Sequence, residues 1–538
     1  MFTRRSLLLA GLIALTAPAA RADIKFHPLF TDNMVLQRDA VAFVWGTAAP
    51  GERLAVSISA VPGTTIQPVA DEKGNWYAPL SPMKAGTGYT LTVKGKDGEA
   101  VLKNVAVGDV WLCSGQSNME WKLSALNRDD QGKTVAAKAD IPNLRLFTVP
   151  NRTATTPQTT FPVKADNQEG KWLVCTPETA MHFSAVGYFF GRDLQKALDV
   201  PIGLVEADWG GTPAEAWTSR EGLQAAPVLH HYLQKADAAA AALKTFDPEK
   251  AKARYEEQLE KWKAAAAKAK EDGKKAPQRP RAPSKTASLD PHSPSSLYNA
   301  MIAPLSHPSI RGAYPIKGAI WYQGESNAGR AAEYYTLMPA LIRDWRAKWG
   351  AELPFIMVQL APFKGGPSGV DYAELRDAQL HTAQVLPRVG LAVITDAGEE
   401  TNIHPQEKEP VGARLALAAR AIAYGQPIEF SGPVMQSVRF DGNRAVVNFS
   451  HVGGGLVAKG GDLTGFALAG ADGKFHPAKA VIQGDTVVAS SDQVANPVAV
   501  RYGWTNFAKP ELNFFNKAGL PAIPFRTDAL PLTTAAKK

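Results

Sequence analysis

Five short apolar runs, each followed at once by a polar or glycine-bearing motif, constrain this chain more than any other feature. They are Val107-Gly-Asp-Val-Trp-Leu-Cys, Gly203-Leu-Val-Glu-Ala, Ile316-Lys-Gly-Ala-Ile-Trp-Tyr, Phe355-Ile-Met-Val-Gln-Leu and Val389-Gly-Leu-Ala-Val-Ile-Thr. Stretches with helical spacing, 186–198, 334–349 and 372–385, lie between them. Continuous apolar strands alternating with helices predict a parallel sheet covered on both faces. In such a sheet the working residues gather where strands end, and the polar motifs stand at those ends.

The flanks read differently. From 23 to 105, short runs such as Val41-Ala-Phe-Val-Trp-Gly and Tyr89-Thr-Leu-Thr-Val-Lys alternate with glycine-bearing turns, predicting a small antiparallel β domain. The α/β domain is expected over 106–426. After it, 427–528 returns to β-rich runs with Asp441-Gly442 and Asp472-Gly473 turns, and 529–538 reads as a tail. Within the α/β domain, 225–294 looks like an insertion of Ala/Lys/Glu-rich helix followed by a proline-rich connector, most simply a solvated helical hairpin.

The first 22 residues carry Arg4 and Arg5, an apolar run from Leu7 to Leu15, and Ala20-Arg21-Ala22, the layout of a cleavable export leader. Thr3-Arg4-Arg5-Ser6-Leu7-Leu8 also fits a twin-arginine signal. The expected location is therefore periplasmic or secreted, with no membrane span after cleavage. The formal charge of +8 does not indicate a nucleic-acid partner. Three leader arginines, and 12 Lys/Arg against 7 Asp/Glu in 247–285, account for it. The rest of the body is near neutral, whereas nucleic acid needs a clustered basic face. The two cysteines, Cys113 and Cys175, could bridge after export or stay as buried thiols.

Ser117, in Ser114-Gly-Gln-Ser-Asn-Met119, follows the first apolar run and has no GxSxG elbow around it, which disfavours an ordinary α/β-hydrolase. A serine nucleophile needs a base, and His404 sits in the polar loop Asn402-Ile-His-Pro405 after the last run. Acyl transfer also needs donors for the oxyanion. Asp208-Trp-Gly-Gly-Thr212 offers the amides of Gly210 and Gly211, and Trp321-Tyr-Gln-Gly-Glu325 offers the Gln323 side chain. Each motif alone is ordinary loop. Together they follow separate strands whose ends share one rim. Trp209, Trp217, Trp321 and Tyr322 are candidate walls for a sugar.

These motifs, with Tyr298-Asn-Ala-Met-Ile-Ala-Pro304 and Lys408, Gly412 and Arg414 after Ile403-His-Pro405, are identified with the sialate O-acetylesterase family of the SGNH-hydrolase superfamily. The resemblance spans nearly all of the chain after residue 22 except 225–294. It implies a flavodoxin-like three-layer core flanked by β-sandwich-like domains, deacetylation of sugar esters, and neither cofactor nor metal. It carries the nucleophile onto Ser117, the base onto His404, and oxyanion donors onto the Ser117 amide, Gly211 in preference to Gly210, and Gln323. One departure matters. Many superfamily members place Asp three residues before the histidine, where this chain has Thr401. A Ser–His dyad braced by a backbone carbonyl is therefore expected ahead of a triad, with Asp396 the leading candidate acid and Glu399 and Glu400 nearby. Sialic acid esters are the expected substrate and acetylated neutral plant polysaccharide such as xylan the alternative. The rival of another class is a non-catalytic carbohydrate-binding protein.

Overall fold

The computed structural model describes residues 23–535 apart from 97, 162–168, 275, 281, 283–288, 308, 309, 311, 351 and 367; the expected leader lies outside the described residues. Six strands form the parallel core: β1 (Glu99–Gly115), β2 (Ile141–Thr148), β3 (Ile202–Asp208), β4 (Gly318–Tyr322), β5 (Phe355–Val358) and β6 (Val389–Ala392). They lie in the order β6-β5-β4-β1-β3-β2, with Trp172–Cys175 added antiparallel at the β2 edge. Read as β3-β1-β4-β5-β6, this is the 2-1-3-4-5 order of flavodoxin-like sheets, extended by β2. The direction of travel reverses at β1. The crevice beyond the carboxyl ends of β3, β1 and β4 is therefore the topological switch point.

Along the parallel stretches, side chains alternate between two cores, as the pleat requires. Val110, Leu112, Ala319, Trp321, Phe355 and Met357 face α2 (Ala331–Trp349) and α3 (Asp371–Val385). Trp111, Cys113, Ile320, Tyr322, Ile356 and Val358 face α1 (Ala185–Leu198) and α4 (Glu409–Ile422). Helices on both faces bury every residue of β3, β4, β5 and β6, so these strands read as unbroken apolar runs.

The expected boundary at residue 105 falls inside a single strand. β1 is 17 residues long. Its first half pairs antiparallel with Gly86–Lys94 and its second half parallel with β3 and β4. Val44, Trp45 and Trp76 of the amino-terminal β region share one continuous core with Trp217 and Trp321. The carboxyl-terminal β region keeps its own core around Val447, Phe466, Tyr502 and Phe514. It is tied to α3 by the buried Arg376, which donates to the carbonyls of Leu360, Ala361, Thr505 and Asn506. In the insertion, helices span His230–Lys244 and Pro248–Glu271, the second burying no side chain. Cys113 and Cys175 are buried free thiols, so the bridge left open by the sequence is absent.

Candidate active site

β1 ends in a turn that only glycine accommodates: Gly115 has φ +144°, and a Cβ there would sit 2.1 Å from the Tyr322 carbonyl. The turn launches one helical turn, Ser117–Glu120, whose first residue is Ser117. The carbonyl of Met119 accepts from Ser184 Oγ at 2.6 Å, and that same oxygen caps α1 by accepting from the Gly187 amide. The nucleophile turn is thus pinned to the start of a long helix.

His404 arrives from 287 residues away, and its Nε2 lies 2.8 Å from Ser117 Oγ, within hydrogen-bond reach. Trp121 stacks on the imidazole, ring centroids 4.6 Å apart and planes within 22°. Asn402 shapes the loop: its Oδ1 accepts from the His404 amide at 3.0 Å and its Nδ2 donates to the His404 carbonyl at 2.7 Å. Burial, and secondarily the Lys408 charge, holds the His404 pKa below the usual histidine value. The ring is therefore neutral at pH 7, the form a base needs.

A polar relay beneath the pair joins three motifs. Lys408 Nζ donates to Asn118 Oδ1, and Asn118 Nδ2 donates to Glu325 Oε1 at 2.5 Å and to the Ile403 carbonyl at 3.0 Å. The residue after the serine thus holds the residue before the histidine. Burial pushes the Lys408 ammonium down to about 7 and the Glu325 carboxyl up.

The structure corrects several expectations. Asp396 does not reach His404. Both of its carboxylate oxygens accept from Arg414, at 2.6 and 2.7 Å. Glu400 pairs with Lys364 and Lys509, and Glu399 accepts from Arg128, Asn402 and the Gln406 amide. Among the described residues no carboxylate lies within ion-pair distance of the His404 ring. Gly210 is already engaged, its amide donating to Glu120 Oε2 at 2.7 Å. Gly211, at φ +76°, is not, and neither its amide nor that of Ser117 donates a hydrogen bond among the described residues. Gln323 is fully buried, and its Nε2 is spent on Asn327 Oδ1 at 2.6 Å and the Thr212 carbonyl at 3.3 Å. Its orientation is fixed, because Oε1 accepts from the Tyr334 hydroxyl and Asn327 Oδ1 also accepts from the Ala214 amide. Gln323 braces the β3 and β4 loops rather than presenting a free donor. Trp321 and Trp217 are packed in the α2/α3 core and Tyr322 in the α1/α4 core, so none walls a sugar site; Trp209 is only partly buried.

Sequence reasoning missed Glu120, Asn118 as an anchor, and Trp121. All three lie within four residues of Ser117, Asn118 and Glu120 on its helical turn and Trp121 just after it, a proximity that could have flagged them. A bare helical turn gives no sign, however, of which neighbour each side chain meets.

A flavodoxin-like sheet with a serine, an imidazole and unspent amides at its switch point has the parts of a serine hydrolase. Residues 282–421 match the profile of a family described as carbohydrate esterase, sialic acid-specific acetylesterase. A solved carbohydrate acetylesterase from Xanthomonas citri superposes with a TM-score of 0.77 and 39% identity over 94% of this chain and 100% of that one. Sialate O-acetylesterase of Homo sapiens is 27% identical over 96% of this chain and 95% of its own length. That of Rattus norvegicus is 29% identical over 96% and 97%. The chain belongs to the carbohydrate acetylesterases, with a stretch similar to sialic acid-specific acetylesterases, and it removes O-acetyl groups from sugars. This excludes the non-catalytic alternative.

Proposed function

We propose that deacetylation runs by double displacement on Ser117, with His404 as general base and acid. The observation that carries it is the 2.8 Å contact between Ser117 Oγ and His404 Nε2. The serine hydroxyl gives its proton to the neutral ring as Oγ attacks the acetyl carbonyl. The oxyanion is met by the amides of Ser117 and Gly211. Imidazolium protonates the departing sugar oxygen, then water activated by the same ring frees acetate. Among the described residues no carboxylate steadies the imidazolium; Trp121, stacked on the ring, offers its π face to the cation instead.

Ser117→Ala and His404→Ala should each lower kcat on an acetylated sugar about a thousandfold or more. A fluorophosphonate should label wild type on Ser117. Retained turnover in Ser117→Ala would overturn the mechanism.

Sialic acid esters are the proposed substrate, supported by the family profile and by the mammalian relatives that share the whole chain length. One observation favours neutral polysaccharide esters as a second reading. Arg128 is paired with Glu399 and Glu407, and Arg330 with Glu215, so neither of these guanidinium groups is free for a sugar carboxylate. Parallel turnover of O-acetylated sialic acid and acetylated xylan separates the two. Action in the periplasm or outside the cell is proposed from the leader-like first 22 residues; amino-terminal sequencing of exported protein should begin at Asp23.

A further inference from the structure

On the Gly211 side of the nucleophile stands a second histidine that the mechanism does not use. A Cβ built on Gly210 would lie 3.4 Å from Ser117 Cβ, and one built on Gly211 would lie 3.7 Å from His292 Nε2. The order across the rim is therefore Ser117, Gly210, Gly211, His292. His292 is more than half exposed, yet it is held. Its Nδ1 is 2.7 Å from Asp290 Oδ1, and its amide donates to the same oxygen at 2.8 Å. The loop carrying it is anchored on both sides. The Ser295 amide donates to the Glu215 carbonyl and Thr153 Oγ1 to the Leu289 carbonyl. Ser326 Oγ, donating to the Gly211 carbonyl at 2.8 Å, fixes the facing wall.

An exposed side chain held in one rotamer loses conformational freedom with no burial to offset it. A binding role supplies the reason. Nδ1 lies against the Asp290 carboxylate, which accepts from it, so Nε2 is the ring nitrogen left towards the rim, and in that tautomer it is a lone-pair acceptor. We infer that His292, oriented by Asp290, accepts a hydrogen bond from a free hydroxyl of the sugar whose acetyl group lies on Ser117. It is a specificity residue for a hydroxylated ring and takes no part in acyl transfer. This rests on the Ser117–His404 reading above.

The test compares wild type, His292→Ala and His292→Gln on three esters. One is a mono-O-acetylated methyl glycoside. The second is its per-O-acetylated counterpart, which has no free hydroxyl. The third is 4-nitrophenyl acetate, which has no sugar. His292→Ala should raise KM for the mono-acetylated glycoside about tenfold, equivalent to 1.4 kcal/mol, with kcat held. Its kinetics on the other two should stay within about twofold, and His292→Gln, which keeps an acceptor, should recover part of the loss. An equal loss on all three esters means a structural role and overturns the inference, as does unchanged KM on the glycoside. Turnover of all three by Ser117→Ala would instead overturn the nucleophile, so the two failures are distinguishable.

Discussion

Replacing Asn118 by alanine isolates the connection between the nucleophile turn and the histidine loop. The change strands two partly buried acceptors, Glu325 Oε1 and the Ile403 carbonyl, and removes the acceptor of Lys408 Nζ. An unsatisfied buried acceptor costs about 1–3 kcal/mol, and part burial puts these two at the low end, about 2 kcal/mol together. The Lys408 contribution depends on pH. Burial already holds its folded pKa at about 7 against an ordinary 10.5. A base depressed in this way adds stability as pH rises from about 7 towards its unfolded value. Without the Asn118 oxygen the folded value falls further, each unit costing about 1.4 kcal/mol at pH values below it. The deficit should therefore be larger at pH 6 than at pH 8, where the amine is neutral in both proteins. Activity follows from geometry. Freed from Asn118, the Ile403 carbonyl no longer fixes the approach of His404, and a displacement of about 1 Å costs about a hundredfold in rate. Thermal midpoints at pH 6 and 8, with kcat on 4-nitrophenyl acetate at pH 8, test this. A variant with a lowered midpoint but wild-type kcat would refute the anchoring role; equal deficits at the two pH values would refute the charge on Lys408.

Four further outcomes are expected. Asp396→Asn should change kcat by less than about tenfold, since both carboxylate oxygens serve Arg414; a loss of about a thousandfold would mean that a carboxylate acts on His404 after all. Lys408→Met removes a charge that lowers the His404 pKa, so the acid limb of the kcat/KM profile should move to higher pH, and an unmoved limb would contradict the coupling. Glu120→Ala frees the Gly210 amide and loosens the turn that presents Gly211, so kcat should fall about ten- to a hundredfold with KM little altered; a KM effect alone would sink this role. Arg376→Met abandons four carbonyls between α3 and the carboxyl-terminal strands and should cost about 3–5 kcal/mol of stability by thermal denaturation; an unchanged midpoint would show that these contacts are idle.

The parallel sheet was legible because burial on both faces turns β4 and β5 into unbroken apolar runs ending in polar loops. The same property hid other things. Along a strand buried on both faces, an aromatic carries no mark of whether it points to a core or a cleft, so Trp321 and Tyr322 read as sugar walls. In β1 the change from alternating to continuous burial reads as a boundary near residue 105. It is one strand passing from one-sided to two-sided cover. Ser117 and His404 stood out as motif residues, and their contact required the sheet. The spending of Gln323 on Asn327 and Thr212, and the placing of His292 beside Gly211, depend on contacts between loops distant in the chain. No local pattern encodes them.

β1 also sets an order of assembly. Its amino half finds its hairpin partner, Gly86–Lys94, as soon as both leave the ribosome. Its carboxyl half waits on both sides, for β3 about ninety residues on and for β4 about two hundred on. During that interval the apolar stretch leading to Ser117 has two open edges, the arrangement that invites pairing with other chains. The amino-terminal sheet can hold it extended in the meantime, as a splint. A version begun at residue 106 would lose that support during the period when the nascent chain is most prone to aggregate.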